Sequence, residues 1–343
     1  MRLKESSPAK QDRGHGTRQF PVADVAQPEL APAGPGSGFQ VGTEGAPGHI
    51  AQSEGTQAGP SFISERCRGS SRLVHHTCLA LFLVQFVVLW VRLWAPSPGF
   101  WHGHWLEAIL LITATAATLS SLARELPAQN VVLAGGLLAL AGLGLESLNA
   151  AFGVPFGLIR FSPTVGPLFF GHVPWCMPFL WVMTLLSARG VARFLLAPVR
   201  TNPNYGFYIL GLTVLLVSAF ELSFQSFALR IGHYWDWNSG ALFRGWMETP
   251  GVEWLGRAVT TLIIMALVTP LLIDKKPTPQ RPLAFSLVLW FLLLLFFLTA
   301  AAVNRLWPLF SIGLIQVLVI TGLASYGFRS APARANRNSA TPA

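Results

Sequence analysis

Apolar residues dominate the chain from Leu73 to Tyr326, in long runs broken by short polar connections. The hydrocarbon core of a bilayer takes about 20 helical residues. Eight stretches approach that length: 73–95, 104–122, 130–150, 172–197, 206–227, 255–273, 283–303 and 307–325. Most of the segments between them carry residues that end helices, such as SPG at 97–99, TNPNYG at 201–206 and KKPTPQRP at 275–282. The pattern predicts an all-α fold, a polytopic transmembrane helix bundle of about eight spans over residues 71–328. The weakest points are Arg92 within the first stretch and the boundary between the last two at Asn304-Arg305.

The pattern changes at both ends. Residues 1–70 are polar and rich in Gly, Pro, Ser and Gln, and they offer too little apolar surface to offset the entropy of ordering. They are expected to form a disordered tail. Residues 329–343, with Arg329, Arg334 and Arg337, read as a second, basic tail. Residues 1–30 hold no apolar h-region, so no secretory signal is expected.

Composition sharpens the class. The chain is 52% hydrophobic and only 11% charged, against about 25% charged for a soluble domain. The net charge of +9 is not gathered into a groove-sized patch, and the spans leave no soluble domain, so nucleic acid is not an expected partner. Membrane lipids are. Arg66, Arg68 and Arg72, then Arg193 and Arg200, then Lys275, Lys276 and Arg281 all fall on one side if there are eight spans with both termini cytoplasmic. The expected location is therefore the bacterial cytoplasmic membrane, integral and multi-pass.

Several chemistries leave no trace. Cys67, Cys78 and Cys176 form no CxxC pair. His102-Gly-His104 is a close His pair, but neither HExxH nor a Cys/His ligand set is present, so no metal is expected. GLLALAGLGLE (136–146) resembles a nucleotide fingerprint only superficially, because it lies in a span. Its glycines fit close helix packing instead.

What remains is a polar constellation between 146 and 257. Glu146 stands near the end of the third stretch, before the turn Gly153-Val-Pro-Phe-Gly157 and Arg160. Either it reaches interfacial water, or it sits in a poorly solvated pocket as a proton donor. Glu221 lies well inside the fifth stretch, in VSAFELSFQSF, with no basic residue nearer in sequence than Arg230. Intramembrane carboxylates are costly and mark sites by default; unpaired, this one would stay protonated. Asp236 sits in His233-Tyr-Trp-Asp-Trp237, which reads as an interfacial aromatic belt or as rings that stabilise a cation beside a carboxylate.

These motifs are familiar together. Glu146-x6-Gly-x-Pro-Phe-Gly ending at Phe161, then Gly166-Pro-Leu-x-x-Gly-x-Val-Pro to Trp181, then an acidic span leading to Trp235-x-Trp237, resemble the carotenoid biosynthesis protein family, which includes carotenoid 1,2-hydratases. The likeness is good over about 146–257 and rests on hydropathy alone elsewhere. The chain departs from the family pattern at Gln225-Ser226, where Asp-Pro is usual, and in Glu248-Thr-Pro-Gly-Val-Glu-Trp-Leu-Gly-Arg257. There Glu253 replaces Asn and Arg257 replaces Trp. Glu253 and Arg257, four apart, read as a local salt bridge.

The resemblance implies a hydro-lyase that adds water to a terminal double bond of a linear or monocyclic carotenoid, with no cofactor. It offers Glu146, Glu221 and Asp236 for catalysis, with the acid and water-activating roles unassigned. It offers Phe156, Arg160, Trp181, His233, Trp235, Trp237 and Trp254 for substrate binding. Its implied partners are a carotenoid or other polyisoprenoid lipid and other carotenoid enzymes. The alternative is a membrane protein that binds or transports a polyisoprenoid without catalysis.

Overall fold

A computed structural model of the protein describes residues 61–94, 105–162, 165–237, 249, 251–273 and 284–339. The expected tail over 1–60 and the His102-Gly-His104 pair lie outside them. Eight α-helices run through the described residues: α1 (Ser61–Trp94), α2 (Trp105–Leu122), α3 (Ala128–Phe152), α4 (Met177–Leu195), α5 (Tyr205–Phe227), α6 (Gly251–Val268), α7 (Phe285–Val303) and α8 (Trp307–Ser339). The first and last are longer than their apolar stretches. Residues 61–70, expected in the tail, begin α1, and α8 continues through most of 329–343. The helical hydrogen-bond ladder does not stop where hydrophobicity does, so polar turns extend both helices.

Seven of these helices are long and apolar enough to cross a bilayer, which makes this an integral, multi-pass membrane protein. The exception is α4, which begins at Met177 rather than at 172 and has 14 of its 19 residues buried. It packs against α2, α3, α5, α7 and α8. A helix enclosed by other helices need not satisfy lipid, so α4 tolerates Thr184, Ser187 and Arg189 in its buried set. Arg189 donates to the Leu272 carbonyl at 2.7 Å, in the short 3-10 turn that follows α6.

Contacts fix the directions. His75 and Ser120 are 3.2 Å apart at one end of the α1–α2 pair, and Arg92 and Glu107 3.4 Å apart at the other, so these helices are antiparallel. α2 and α4 run parallel, joined by Thr115 with the Phe179 carbonyl and by Arg193 with Glu125. α5 and α7 also run parallel, with Phe220 against Trp290 and Phe227 against Phe296. Trp181 and Arg257 both reach Glu146, and Gln225 reaches Glu253, so the end of α3, the start of α4, the end of α5 and the start of α6 meet at one end of the bundle.

That end carries two small antiparallel ribbons. β1 (Ile159–Phe161) pairs with β4 (Trp235–Trp237) in the register Ile159↔Trp237, Arg160↔Asp236, Phe161↔Trp235. β2 (Leu168–Phe169) pairs with β3 (Val173–Pro174). The first ribbon ties the segment after α3 to the segment after α5. α5 reaches it through a π-helical turn, Ala228–Gly232, which His233 closes in the left-handed region at φ 47°. Such turns occur often beside functional sites.

Candidate active site

Three spans each present two polar residues one turn apart: Glu146 and Asn149 on α3, Glu221 and Gln225 on α5, Glu253 and Arg257 on α6. Spacings of three and four put each pair on one helix face. The bundle turns all three faces inward, and all six residues are buried.

Arg257 is the centre. Its Nη2 lies 2.9 Å from Glu146 Oε1, its Nε donates to Glu253 Oε1 at 2.9 Å, and its Nη1 stands 3.6 Å from Glu221 Oε1. The Gln225 amide donates to Glu221 Oε2 at 3.1 Å and also to Glu253 Oε1. Trp181 Nε1 donates to Glu146 Oε1 at 3.1 Å. The guanidinium carbon is 4.9 Å from the Phe156 ring centroid and 5.4 Å from that of Trp181, and the two rings are stacked 6.3 Å apart. Glu146 and Glu253 are wholly buried, with Arg257 4% and Glu221 5% exposed. Removing Arg257 would strand buried carboxylates without their counter-charge, at about 3–5 kcal/mol.

Close backbone approach makes the arrangement possible. A Cβ at Gly142 would lie 2.4 Å from Trp181 Cγ, so only glycine lets that indole lie flat on α3 beside Glu146. A Cβ at Gly256 would meet Phe156 Cδ1 at 3.0 Å, where α6 rests on the turn after α3. Asn149 holds that turn: its carbonyl accepts from the Gly153 N–H at 2.8 Å, and its Oδ1 accepts from the Phe156 N–H at 3.0 Å.

Beside the cluster, between α5 and the start of α6, lies a cavity of about 260 Å³ lined by Glu221, Leu222, Gln225, Thr249, Glu253 and Trp254, with Gly251. Glu146 does not line it. Among the described residues, Glu253 Oε2, Gln225 Oε1 and Thr249 Oγ1 are buried without a hydrogen-bond partner, a condition that ordered water or a ligand ordinarily relieves. Trp254 donates to the Ser218 carbonyl at 3.0 Å and is 44% exposed. Its neighbours Val252 and Leu255 are exposed apolar residues. The cavity thus sits between buried acids and a hydrocarbon-compatible surface.

The sequence candidates divide. Glu146, Glu221, Phe156 and Trp181 come together around Arg257, and Trp254 borders the cavity with Glu221. Asp236 does not join them: it is exposed on β4 opposite Arg160, which is exposed as well. His233 is exposed at the end of the π-helical turn. Trp235 is buried against Phe161, Phe224 and Tyr234 and does not line the cavity beside Glu221. Trp237 lies near Gly157. Burial pushes the Tyr234 phenol well above its ordinary value of 10.0.

Two expectations change. Glu221 is paired after all, because α6 brings Arg257 to it. The Glu253–Arg257 pair is local in sequence but binds two other spans. Sequence reasoning left out Arg257, Glu253, Gln225 and Asn149. The available signal was the repeated polar pair at helical spacing in three separate spans. Among the described residues, no group of three or more His, Cys, Asp or Glu is arranged to hold a metal ion.

A family model described as carotenoid biosynthesis protein matches residues 106–320, which include every residue of the cluster. No curated protein and no solved structure matches the chain.

Proposed function

The chain belongs to the carotenoid biosynthesis protein family, and we propose that it hydrates a terminal carbon–carbon double bond of a linear or monocyclic carotenoid by acid catalysis. The observation that carries this reading is the buried cluster of three carboxyl groups on one guanidinium, two of them bordering the cavity between α5 and α6.

The geometry supports distinct roles. Glu146, held by Arg257 and Trp181 and absent from the cavity wall, is the carboxylate that balances the guanidinium. Glu221 has the longest separation from Arg257 and lines the cavity, so it is the proton donor. Glu253, with one oxygen unpartnered, takes a proton from the attacking water. In this assignment the cluster keeps one net negative charge, which favours a developing tertiary cation in a medium of low dielectric. The exposed face of Trp254 adds cation–π stabilisation.

The step balances without a cofactor. The Glu221 O–H adds its proton to the less substituted alkene carbon, leaving a tertiary cation at the other. Water adds to that cation and passes a proton to Glu253. Transfer from Glu253 to Glu221, both held by the Gln225 amide, restores the starting state. The net change is alkene plus water to tertiary alcohol.

The basic flanks favour cytoplasmic termini in a bacterial cytoplasmic membrane, with the acid cluster towards the opposite face. Expression in a host that accumulates lycopene, with mass spectrometry of the pigments, tests the activity. A product heavier by one water supports it. Unchanged pigment from lycopene and from a monocyclic carotenoid, with the protein present in the membrane, favours binding or transport without catalysis.

A further inference from the structure

A second cavity, of about 60 Å³, lies between α2, α4, α5 and α7. A water needs about 10–15 Å³ of such space, so this is room for several, yet the wall is almost wholly apolar. Phe220, Phe224 and Phe227 from α5 face Phe296 and Phe297 from α7, and Trp235 closes one side. This chamber shares no lining residue with the acid cavity. The α5 residues that line the two sets point about 140° apart at 100° per residue. Interiors are close-packed, and a dry void forfeits dispersion contacts on every wall. Water gains little here, because it needs two to four polar partners.

Three residues bring polar atoms to the apolar wall: Glu107, Tyr234 and Trp235. Trp235 is 2% exposed, and among the described residues its indole Nε1–H has no hydrogen-bond partner. A buried donor without an acceptor costs about 1–3 kcal/mol. Trp235, which carries this unpartnered donor, is itself part of the chamber wall. We propose that the chamber is a second binding site, which takes a methyl-branched isoprenoid terminus carrying one hydroxyl oxygen, with Trp235 Nε1 donating to that oxygen. Aromatic edges and faces suit branched hydrocarbon, and the unpartnered indole donor favours an oxygenated terminus over the bare alkene. The class of ligand rests on the family assignment. It does not depend on the hydration chemistry proposed for the acid cluster.

Photocrosslinking of the full-length protein in phosphatidylcholine nanodiscs tests this, using a diazirine derivative of geraniol as the probe. The expected result is crosslinked peptides from the Phe220–Phe227 and Leu293–Phe297 segments. Unlabelled geraniol should compete for them, and myrcene, a hydrocarbon of the same chain length, should not. Trp235→Phe should weaken competition by geraniol about fivefold, the equivalent of one hydrogen bond. Ala108→Leu, which fills the chamber from α2, should abolish these crosslinks. Crosslinks confined to lipid-facing positions, or equal competition by myrcene, would overturn the proposal. Glu221→Gln should leave the crosslinks intact, so this reading and the hydratase reading fail separately.

Discussion

Arg257 on α6 lies 2.9 Å from Glu146 on α3, a residue 111 positions earlier in the chain. The same guanidinium also reaches Glu221 on α5. Three helices are thus joined through one buried cation, and that junction governs both stability and chemistry.

Arg257→Met should strongly destabilise the protein, by about 3–5 kcal/mol, because it strands acids that have lost their counter-charge. Thermal unfolding in detergent reads this directly. The double variant Arg257→Met/Glu146→Gln should recover part of the loss. Equal melting of Arg257→Met and the parent would mean that the cluster contributes no ionic linkage.

Glu221→Gln should lower product formation by about 10²-fold or more, the scale of a lost general acid. Asp236→Asn should stay within about twofold, because an exposed substitution of this kind changes free energies by about 0.5 kcal/mol. Pigment analysis of both variants at matched protein levels ranks the two acids. The reverse ranking would move the chemistry to the β1–β4 ribbon.

Gly142 and Gly144 provide an internal control, two residues apart in one helix. Gly142→Ala pushes a methyl into Trp181 and should cost about 1–3 kcal/mol. Gly144→Ala meets nothing within 4 Å and should be neutral or slightly stabilising, since alanine is the better helix former. Melting temperatures of the two variants decide it.

Trp254→Phe should retain most activity, whereas Trp254→Leu should lose about tenfold or more, since a desolvated cation–π contact is worth about 2 kcal/mol. Product yield over time measures both. Equal activity of the leucine variant would assign Trp254 to packing alone.

The positions where the chain departs from the family pattern gain meaning from this geometry. In the sequence, Gln225 stood apart from the Glu253–Arg257 pair. In the fold, Gln225 donates to Glu253 and Glu253 accepts from Arg257. They form one compensated set, in which each unusual residue supplies the partner that another requires.

The sequence by itself determined seven spans, because a run of apolar residues long enough for a bilayer is a local property; α4 is the exception, since neighbouring helices enclose it in place of lipid. It also marked Glu146 and Glu221, since carboxylates within apolar runs are costly wherever they lie, and the family resemblance added Phe156 and Trp181. Only the tertiary structure decided which groups meet. Side chains on α3, α5 and α6 converge because glycines at 142 and 256 allow close approach and because helix faces are fixed by rotation about axes that hydropathy does not specify. That rotation brought Arg257 to Glu221, kept Glu146 out of the cavity wall, and turned Trp235 towards a different chamber.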